Sequence, residues 1–345
     1  MPAEPRIYKL SELKPGAQAD CFVLLSAKDR ATTRDGKPYY RVTFRDAARS
    51  AVVMVWSDSP WFEGCDGAWK VGSCYKLRCR YVESSYGPQL ELERLRLVEE
   101  ADRRDGFDET LLVKATRFDI PTMYAELLAI AQTKIEPEPL RQLVVGILEE
   151  HADAIKRAPA AKQNHHAYAG GFLEHVLSVT KNALFFADKY AADYPNMQPP
   201  LNKSLVVSGD ILHDIGKLIE LEFRMDGTRR TAEGELIGHI LLGRDMVRER
   251  GQRIADLDRE TLLRLEHVIV AHQNLPEWGS PIAPHTPEAL LVYFADDVDA
   301  KFHMLAGSLE GDFASDEEFT PRDNALRRSI FRGLRKTLGK LPACN

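Results

Sequence analysis

The sequence predicts a multidomain α+β protein, a small five-stranded β-barrel followed by an all-α helical domain. Three observations carry this. From about residue 6 to 98, short β-prone runs alternate between turn signals. Beyond residue 108 the apolar residues recur at three-to-four spacing. Between the two lies a charged stretch, Glu99-Glu100-Ala101-Asp102-Arg103-Arg104, that reads as a linker.

Strands are expected at Asp20–Ser26, Tyr39–Arg45, Ala51–Ser57, Cys74–Val82 and Gln89–Val98. Arg34-Asp35-Gly36-Lys37, Arg45-Asp46-Ala47-Ala48, Glu63-Gly64-Cys65-Asp66-Gly67 and Tyr86-Gly87-Pro88 supply turns between them. The long gap that holds Trp61 and Trp69 has room for a short helix. Helices are expected at Pro121–Thr133, Pro139–Ile155, Phe172–Lys189, Lys203–Ile215, Glu235–Glu249, Asp258–Ala271 and Pro287–Leu305. The tail Asn324–Lys340 is basic and helix-compatible, with Arg327, Arg328, Arg332, Arg335 and Lys336. Domains follow at 1–100 (barrel), 101–160 (linker and helical extension), 161–320 (the histidine-bearing helical domain) and 321–345 (basic tail).

Of 345 residues, 44% are hydrophobic and 28% charged, the composition of a soluble protein with sizeable cores. No run reaches the roughly 18 apolar residues of a membrane span, and Met1–Leu10 has no apolar signal region. Cys21, Cys65, Cys74, Cys79 and Cys344 form no CxxC pair and read as free thiols, which places the chain in the cytoplasm. The net charge of −6 argues against a strong general polyanion binder. Residues 1–104, however, hold 18 Lys and Arg against 15 Asp and Glu, and a local basic path is sufficient for a strand. The sequence leaves a homo-oligomer open.

Seven of the ten histidines fall between His165 and His272. They come in order: Gly170-Gly171-Phe172-Leu173-Glu174-His175, then His213-Asp214-Ile215-Gly216-Lys217, Gly238-His239-Ile240, Ala271-His272-Gln273 and Ala295-Asp296-Asp297-Val298-Asp299-Ala300-Lys301. Imidazole with carboxylate suits a divalent ion such as Mn2+, Mg2+, Fe2+ or Zn2+, and a helical bundle can aim such groups at one point. One histidine alone is more often a packed residue. Several on otherwise apolar helices need a shared explanation, because burying them unpaired costs free energy. Asp214 has two oxygens and could bridge two ions. Asp210, Asp297 and Asp299 could equally be solvated or capping acids. Carbonyls or carboxylates behind the histidines should fix their tautomers.

Residues Gly171–Lys301 resemble the HD superfamily of metal-dependent phosphohydrolases, whose spaced pattern is H…HD…D. The match extends to His165-His166, to Leu212-His213-Asp214-Ile215-Gly216-Lys217, to Glu233-Gly234-Glu235-Leu236-Ile237-Gly238-His239-Ile240 and to Glu277-Trp278-Gly279-Ser280-Pro281. With these segments the chain resembles the YhaM-type 3′–5′ exoribonucleases, which join an N-terminal OB-fold to a C-terminal HD domain. The resemblance implies His175, His213, Asp214 and Asp296 as primary metal ligands, with Mn2+ the favoured ion. It implies His239 and His272 as ligands or phosphate contacts at a second position, and Lys217 as a contact to the scissile phosphate. His166 is a candidate substrate contact. His272-Gln273 departs from the paired histidines of related proteins, so one ion is the firmer expectation. The implied reaction is in-line attack of metal-activated water on the terminal phosphodiester of single-stranded RNA or DNA, releasing 5′-nucleotides. Two other readings compete: an HD phosphohydrolase of a small nucleotide (a dNTP or cyclic nucleotide), and a nucleic-acid-binding protein with an inactive HD site.

In the barrel, Tyr40, Val42 and Phe44 alternate with Tyr39, Arg41 and Thr43, and the more apolar set is the expected core. Lys37, Tyr39 and Arg41 are then candidate strand contacts, since OB-folds combine a basic groove with aromatic stacking. Phe44 and Trp56 are expected in the core. Trp278 is a candidate base-stacking residue near the metal.

Overall fold

Alternation of buried and exposed residues builds the barrel strand by strand. In the computed structural model, which describes residues 7–85, 87–162, 166–225, 227–310 and 317–334, the N-terminal strands are β1 (Ile7–Tyr8), β2 (Gln18–Thr32), β3 (Pro38–Arg45), β4 (Ser50–Trp56), β5 (Cys74–Ser84) and β6 (Gly87–Leu97). A short helix, α1 (Phe62–Gly67), fills the tryptophan gap. The sheet order is β1-β2-β3-β4-β6-β5, and β5 pairs back onto β2, which closes the barrel. The five long strands match the expected ones, with β2 running further at both ends. Tyr40, Val42 and Phe44 point into a core with Val23, Leu25, Val53, Val55, Tyr75 and Leu77. Trp56 is a correction: it is 45% exposed, because Ala51, Val53 and Val55 take the inward parity of β4.

The charged stretch after β6 is not a free linker. Residues Glu100–Asp105 form a 3-10 turn in which Asp102 is buried and bonded to Arg96, Lys76 and the Glu99 amide. The Asp102 carboxyl is held well below its ordinary value, first by the Arg96 guanidinium.

The helical body comprises α2 (Ile120–Lys134), α3 (Glu138–Glu150), α4 (Ala152–Arg157), α5 (Gly171–Asp193), α6 (Lys203–Leu212), α7 (Lys217–Glu220), α8 (Ala232–Leu236), α9 (His239–Gly251), α10 (Arg259–Ala271) and α11 (Pro287–Leu309). Helices α2 to α4 share one core with α5, α6, α9 and α10 through residues such as Leu127, Leu143, Ile147, Val176 and Ile211. Five expectations are corrected. The run Pro139–Ile155 breaks at His151 into α3 and α4. Lys203–Ile215 stops at Leu212, and Glu235–Glu249 is divided at Gly238, whose φ of 79° no helix interior accepts. A β-hairpin, β7 (Leu221–Arg224) with β8 (Gly227–Arg230), interrupts the all-α reading. Between residues 324 and 334 the tail forms turns and a bridge from Phe331 to Phe319, not a helix. Tyr86, His165, Arg335, Lys336 and Cys344 lie outside the described residues.

The barrel is fastened to the helical body. Phe22, Leu24, Phe107 and Leu112 form a buried cluster against which Met225 of the hairpin packs. Arg45 donates to the Met225 carbonyl at 2.7 Å. The strap that follows exchanges backbone hydrogen bonds between Lys114, Thr116 and Ala169, and Thr116 Oγ1 donates to Glu174, the neighbour of His175. No helix among the described residues is long and apolar enough to cross a membrane.

Candidate metal centre

Five helix ends and faces deliver the predicted residues to one point. His175 lies in the second turn of α5, His213 and Asp214 form the turn after α6, His239 opens α9, His272 caps α10, and Asp296 sits mid-way along α11. Close backbone approach makes this possible. A Cβ on Gly216 would lie 2.0 Å from the His239 carbonyl oxygen, and one on Gly171 would lie 2.0 Å from the His166 carbonyl oxygen. Glycine at these positions lets α7 meet α9 and lets α5 start against the preceding loop. Gly216→Ala should force these backbones apart at about 1–3 kcal/mol and move His239. Hydrolysis is expected to fall at least tenfold with the fold retained, as read by steady-state rates beside circular dichroism.

Asp214 joins two groups of atoms. Its Oδ2 lies 3.5 Å from His175 Nε2 and 3.4 Å from His213 Nε2. Its Oδ1 lies 3.4 Å from His239 Nε2 and 3.6 Å from His272 Nε2. Asp296 Oδ1 completes the first group, 3.2 Å from His175 Nε2 and 4.0 Å from His213 Nε2. The trios His175-His213-Asp296 and Asp214-His239-His272 each bring three donor atoms within metal-holding range. Among the described residues, His213 Nε2, His272 Nε2 and Asp214 Oδ1 are buried without a hydrogen-bond partner. Native interiors rarely leave such atoms orphaned. Ligand atoms about 2.1 Å from a shared ion sit roughly 3.0–3.4 Å apart at tetrahedral or octahedral angles. Most of the measured spacings lie close to this range, so the residues present fit a divalent metal.

Each imidazole is aimed from behind. His175 Nδ1 bonds Asp299 at 2.8 Å, His213 Nδ1 donates to the Asp210 carbonyl at 2.6 Å, and His272 Nδ1 donates to the Ile269 carbonyl at 2.8 Å. His239 Nδ1 lies 3.2 Å from Glu220. An acceptor behind Nδ1 leaves Nε2 its lone pair, the form a metal needs. Burial opposes charge on Asp214, but Lys217 and His213 beside it hold the carboxyl well below its usual range. Burial likewise opposes charge on Asp296, Asp299 and Glu220. His175 holds Asp296 low, His166 and His175 hold Asp299 low, and His239 holds Glu220 low. Burial disfavours protonation of His175, yet hydrogen bonds to Asp214, Asp296 and Asp299 raise it well above the ordinary imidazole value. Asp210 goes the other way: burial, then the charge of Asp296, pushes its carboxyl up toward the neutral acid.

The remaining predicted residues are distributed as follows. Lys217 Nζ contacts Asp214 Oδ2 at 2.5 Å, at the edge of the centre. His166 is 3% exposed, with its ring 3.8 Å from that of His303 and its Nε2 3.3 Å from Asp299, the carboxylate that also bonds His175. Trp278 is 49% exposed on the turn Pro276–Trp278, with Lys301 Nζ 5.8 Å from its ring centre. Gln273 holds that loop through Ser280 and places its amide nitrogen 3.3 Å from His239 Nε2. Asp297 pairs with Lys301 at the surface. On the barrel, the rings of Tyr39 and Trp56 lie 4.9 Å apart, tilted by 39°, beside exposed Arg41, and Lys37 is exposed in the adjoining turn. Glu220 is a site residue that sequence reasoning misses, because nothing in the sequence separates it from a solvated acid.

Residues 172–301 match the family model of the HD domain. The helical part is thus of the HD type, which points to a metal-dependent hydrolase. The barrel order, five long strands closed with a helix between the third and fourth, is that of an OB-fold. Two solved structures are similar to the barrel. The solution structure of the second OB-fold domain of replication protein A from Methanococcus maripaludis is 18% identical, covering 27% of this chain and 96% of that one at a TM-score of 0.21. The crystal structure of a domain of replication protein A from Methanococcus maripaludis is 16% identical, covering 28% and 98% at a TM-score of 0.22.

Proposed function

We propose that this protein is a cytoplasmic, metal-dependent 3′–5′ exonuclease of single-stranded RNA, with single-stranded DNA as the second substrate. The observation that carries this is the pair of donor trios, His175-His213-Asp296 and Asp214-His239-His272, with the second oxygen of Asp214 turned to the first trio and, among the described residues, buried atoms left without a hydrogen-bond partner in both. His175, His213, Asp214 and Asp296 would hold one divalent ion, and Asp214, His239 and His272 a second. Such ions lower the pKa of water and neutralise charge on the nonbridging oxygens. The protein's own groups do the rest. Asp299, Glu220 and two backbone carbonyls fix the imidazoles. Lys217 brings a cation to the edge of the centre, where it can meet a phosphate oxygen. Trp278 offers a face for the terminal base, and Tyr39, Trp56, Arg41 and Lys37 offer stacking and charge to the strand behind it. The 3′–5′ polarity rests on the resemblance to YhaM-type enzymes.

The test is purified protein with 5′-labelled single-stranded RNA and Mn2+, with and without EDTA. A ladder shortening from the 3′ end, abolished by EDTA, is expected. Hydrolysis of a dNTP or cyclic nucleotide with intact RNA would move the reading to a small-nucleotide phosphohydrolase. Binding without any hydrolysis would leave an inactive site.

A further inference from the structure

The amide of Gln273 faces a ring nitrogen that a metal would need. An amide nitrogen can only donate a hydrogen bond. That of Gln273 lies 3.3 Å from His239 Nε2, so this ring nitrogen is the acceptor. The ring proton then sits on Nδ1, where Glu220 stands 3.2 Å away to receive it. The opposite tautomer would turn a proton toward a donor and leave Nδ1 bare against the Glu220 carboxylate. Gln273 Oε1 is turned toward Gly279, where an added Cβ would lie 3.6 Å from it.

The lone pair that accepts from Gln273 is the one His239 would offer an ion. It cannot serve a hydrogen and a metal at once. Binding an ion among Asp214, His239 and His272 therefore costs the Gln273 hydrogen bond. The other histidines differ. Among the described residues, His213 Nε2 and His272 Nε2 have no hydrogen-bond partner to give up. Gln273 is also held where it is, because its main-chain N–H donates at 3.0 Å to Ser280 Oγ, and Ser280 is 1% exposed.

We propose that Gln273 sets the occupancy of the metal centre: by holding the His239 lone pair, it weakens the second position relative to the first. The inference rests on the two-position reading above and concerns the position of Asp214, His239 and His272. A net hydrogen bond shifts an equilibrium about 2–10-fold. The second position also has fewer protein donors than the first, so it fills at higher free Mn2+ and follows the supply of that ion.

Isothermal titration of the full, metal-stripped chain with Mn2+ tests this. The wild type should show one tight and one weaker binding event. Gln273→Met keeps the length of the side chain and the main-chain bond to Ser280, but has no N–H to donate. It should tighten the weaker event about 2–10-fold and leave the tight one within about twofold, with an unchanged circular dichroism spectrum. A second ion taken up only by Gln273→Met supports the proposal equally. A weaker event that is unchanged overturns it. A loosened one overturns it too, and would make Gln273 a ligand through its oxygen. If Gln273→Met does not fold, Gln273→Ala decides by the same outcomes. One Mn2+ bound by both chains overturns this proposal and leaves the first position standing. No Mn2+ bound by either removes the metal centre itself.

Discussion

Replacing Asp214 with Asn should lower hydrolysis by about 10³–10⁴-fold, equivalent to ~4–5.5 kcal/mol of transition-state stabilisation, and should strip metal from both positions at once. The reasoning is geometric. Among the described residues, Asp214 is the one whose two oxygens face both histidine sets, at 3.4–3.6 Å from four Nε2 atoms. Asparagine keeps the volume and one carbonyl acceptor for Lys217, so the buried ammonium retains a partner. Alanine would leave it alone, at about 3–5 kcal/mol, and confuse loss of metal with loss of fold. Elemental analysis after dialysis against Mn2+ reads the outcome beside the rate. Glu220→Gln is the graded comparison. Of the histidines it touches His239, from behind, with Arg230 3.7 Å from its other oxygen, and outer partners of metal ligands are typically worth 10–100-fold. Its metal loss should be confined to one equivalent. An Asp214→Asn protein that keeps wild-type metal content and rate would refute the shared-ligand reading.

The candidate ligands are legible in the sequence because each marks a local event. His175 follows a glycine pair that starts a helix, His213-Asp214 follows an apolar helix, and His239 follows a positive-φ glycine. What orients them is not legible. The partners of His213 and His272 are main-chain carbonyls, which no side-chain pattern records. Glu220 and Asp299 are acids on short or amphipathic segments, and only the fold turns them inward. The same distinction explains Trp56. Side-chain size favours the core, whereas the parity of β4 assigns that side to Ala51, Val53 and Val55. The charged stretch before the helices reads as a linker because Asp102 is satisfied by Arg96 and Lys76, residues from two strands. The β7–β8 hairpin is four residues a side, too short for an alternation to stand out.

Tyr39→Ala combined with Trp56→Ala should raise the KM for a long single strand on the order of 100-fold, while hydrolysis of a dinucleotide changes less than about twofold. Stacking on an aromatic face contributes about 1–3 kcal/mol per base, and the paired rings present two such faces on the outer side of β3 and β4. A dinucleotide that fills the metal centre is expected to draw no affinity from either ring. Adding Arg41→Ala and Lys37→Ala should lessen the salt dependence of binding by about 0.7 in log–log slope for each phosphate no longer neutralised by a basic side chain. Point substitutions test the barrel more cleanly than removing residues 1–100 does. Deletion would uncover Phe107 and Met225 and cut the Arg45 bond to the hairpin that follows Lys217, so the metal centre would suffer for structural reasons. Tyr39 and Trp56 face outward, and their removal leaves the Tyr40, Val42 and Phe44 core intact. Equal loss on the dinucleotide and the long strand would mean that the aromatic pair supports the fold rather than the substrate. Selective loss on the long strand would establish the barrel as the grip that sets which phosphodiesters the centre meets.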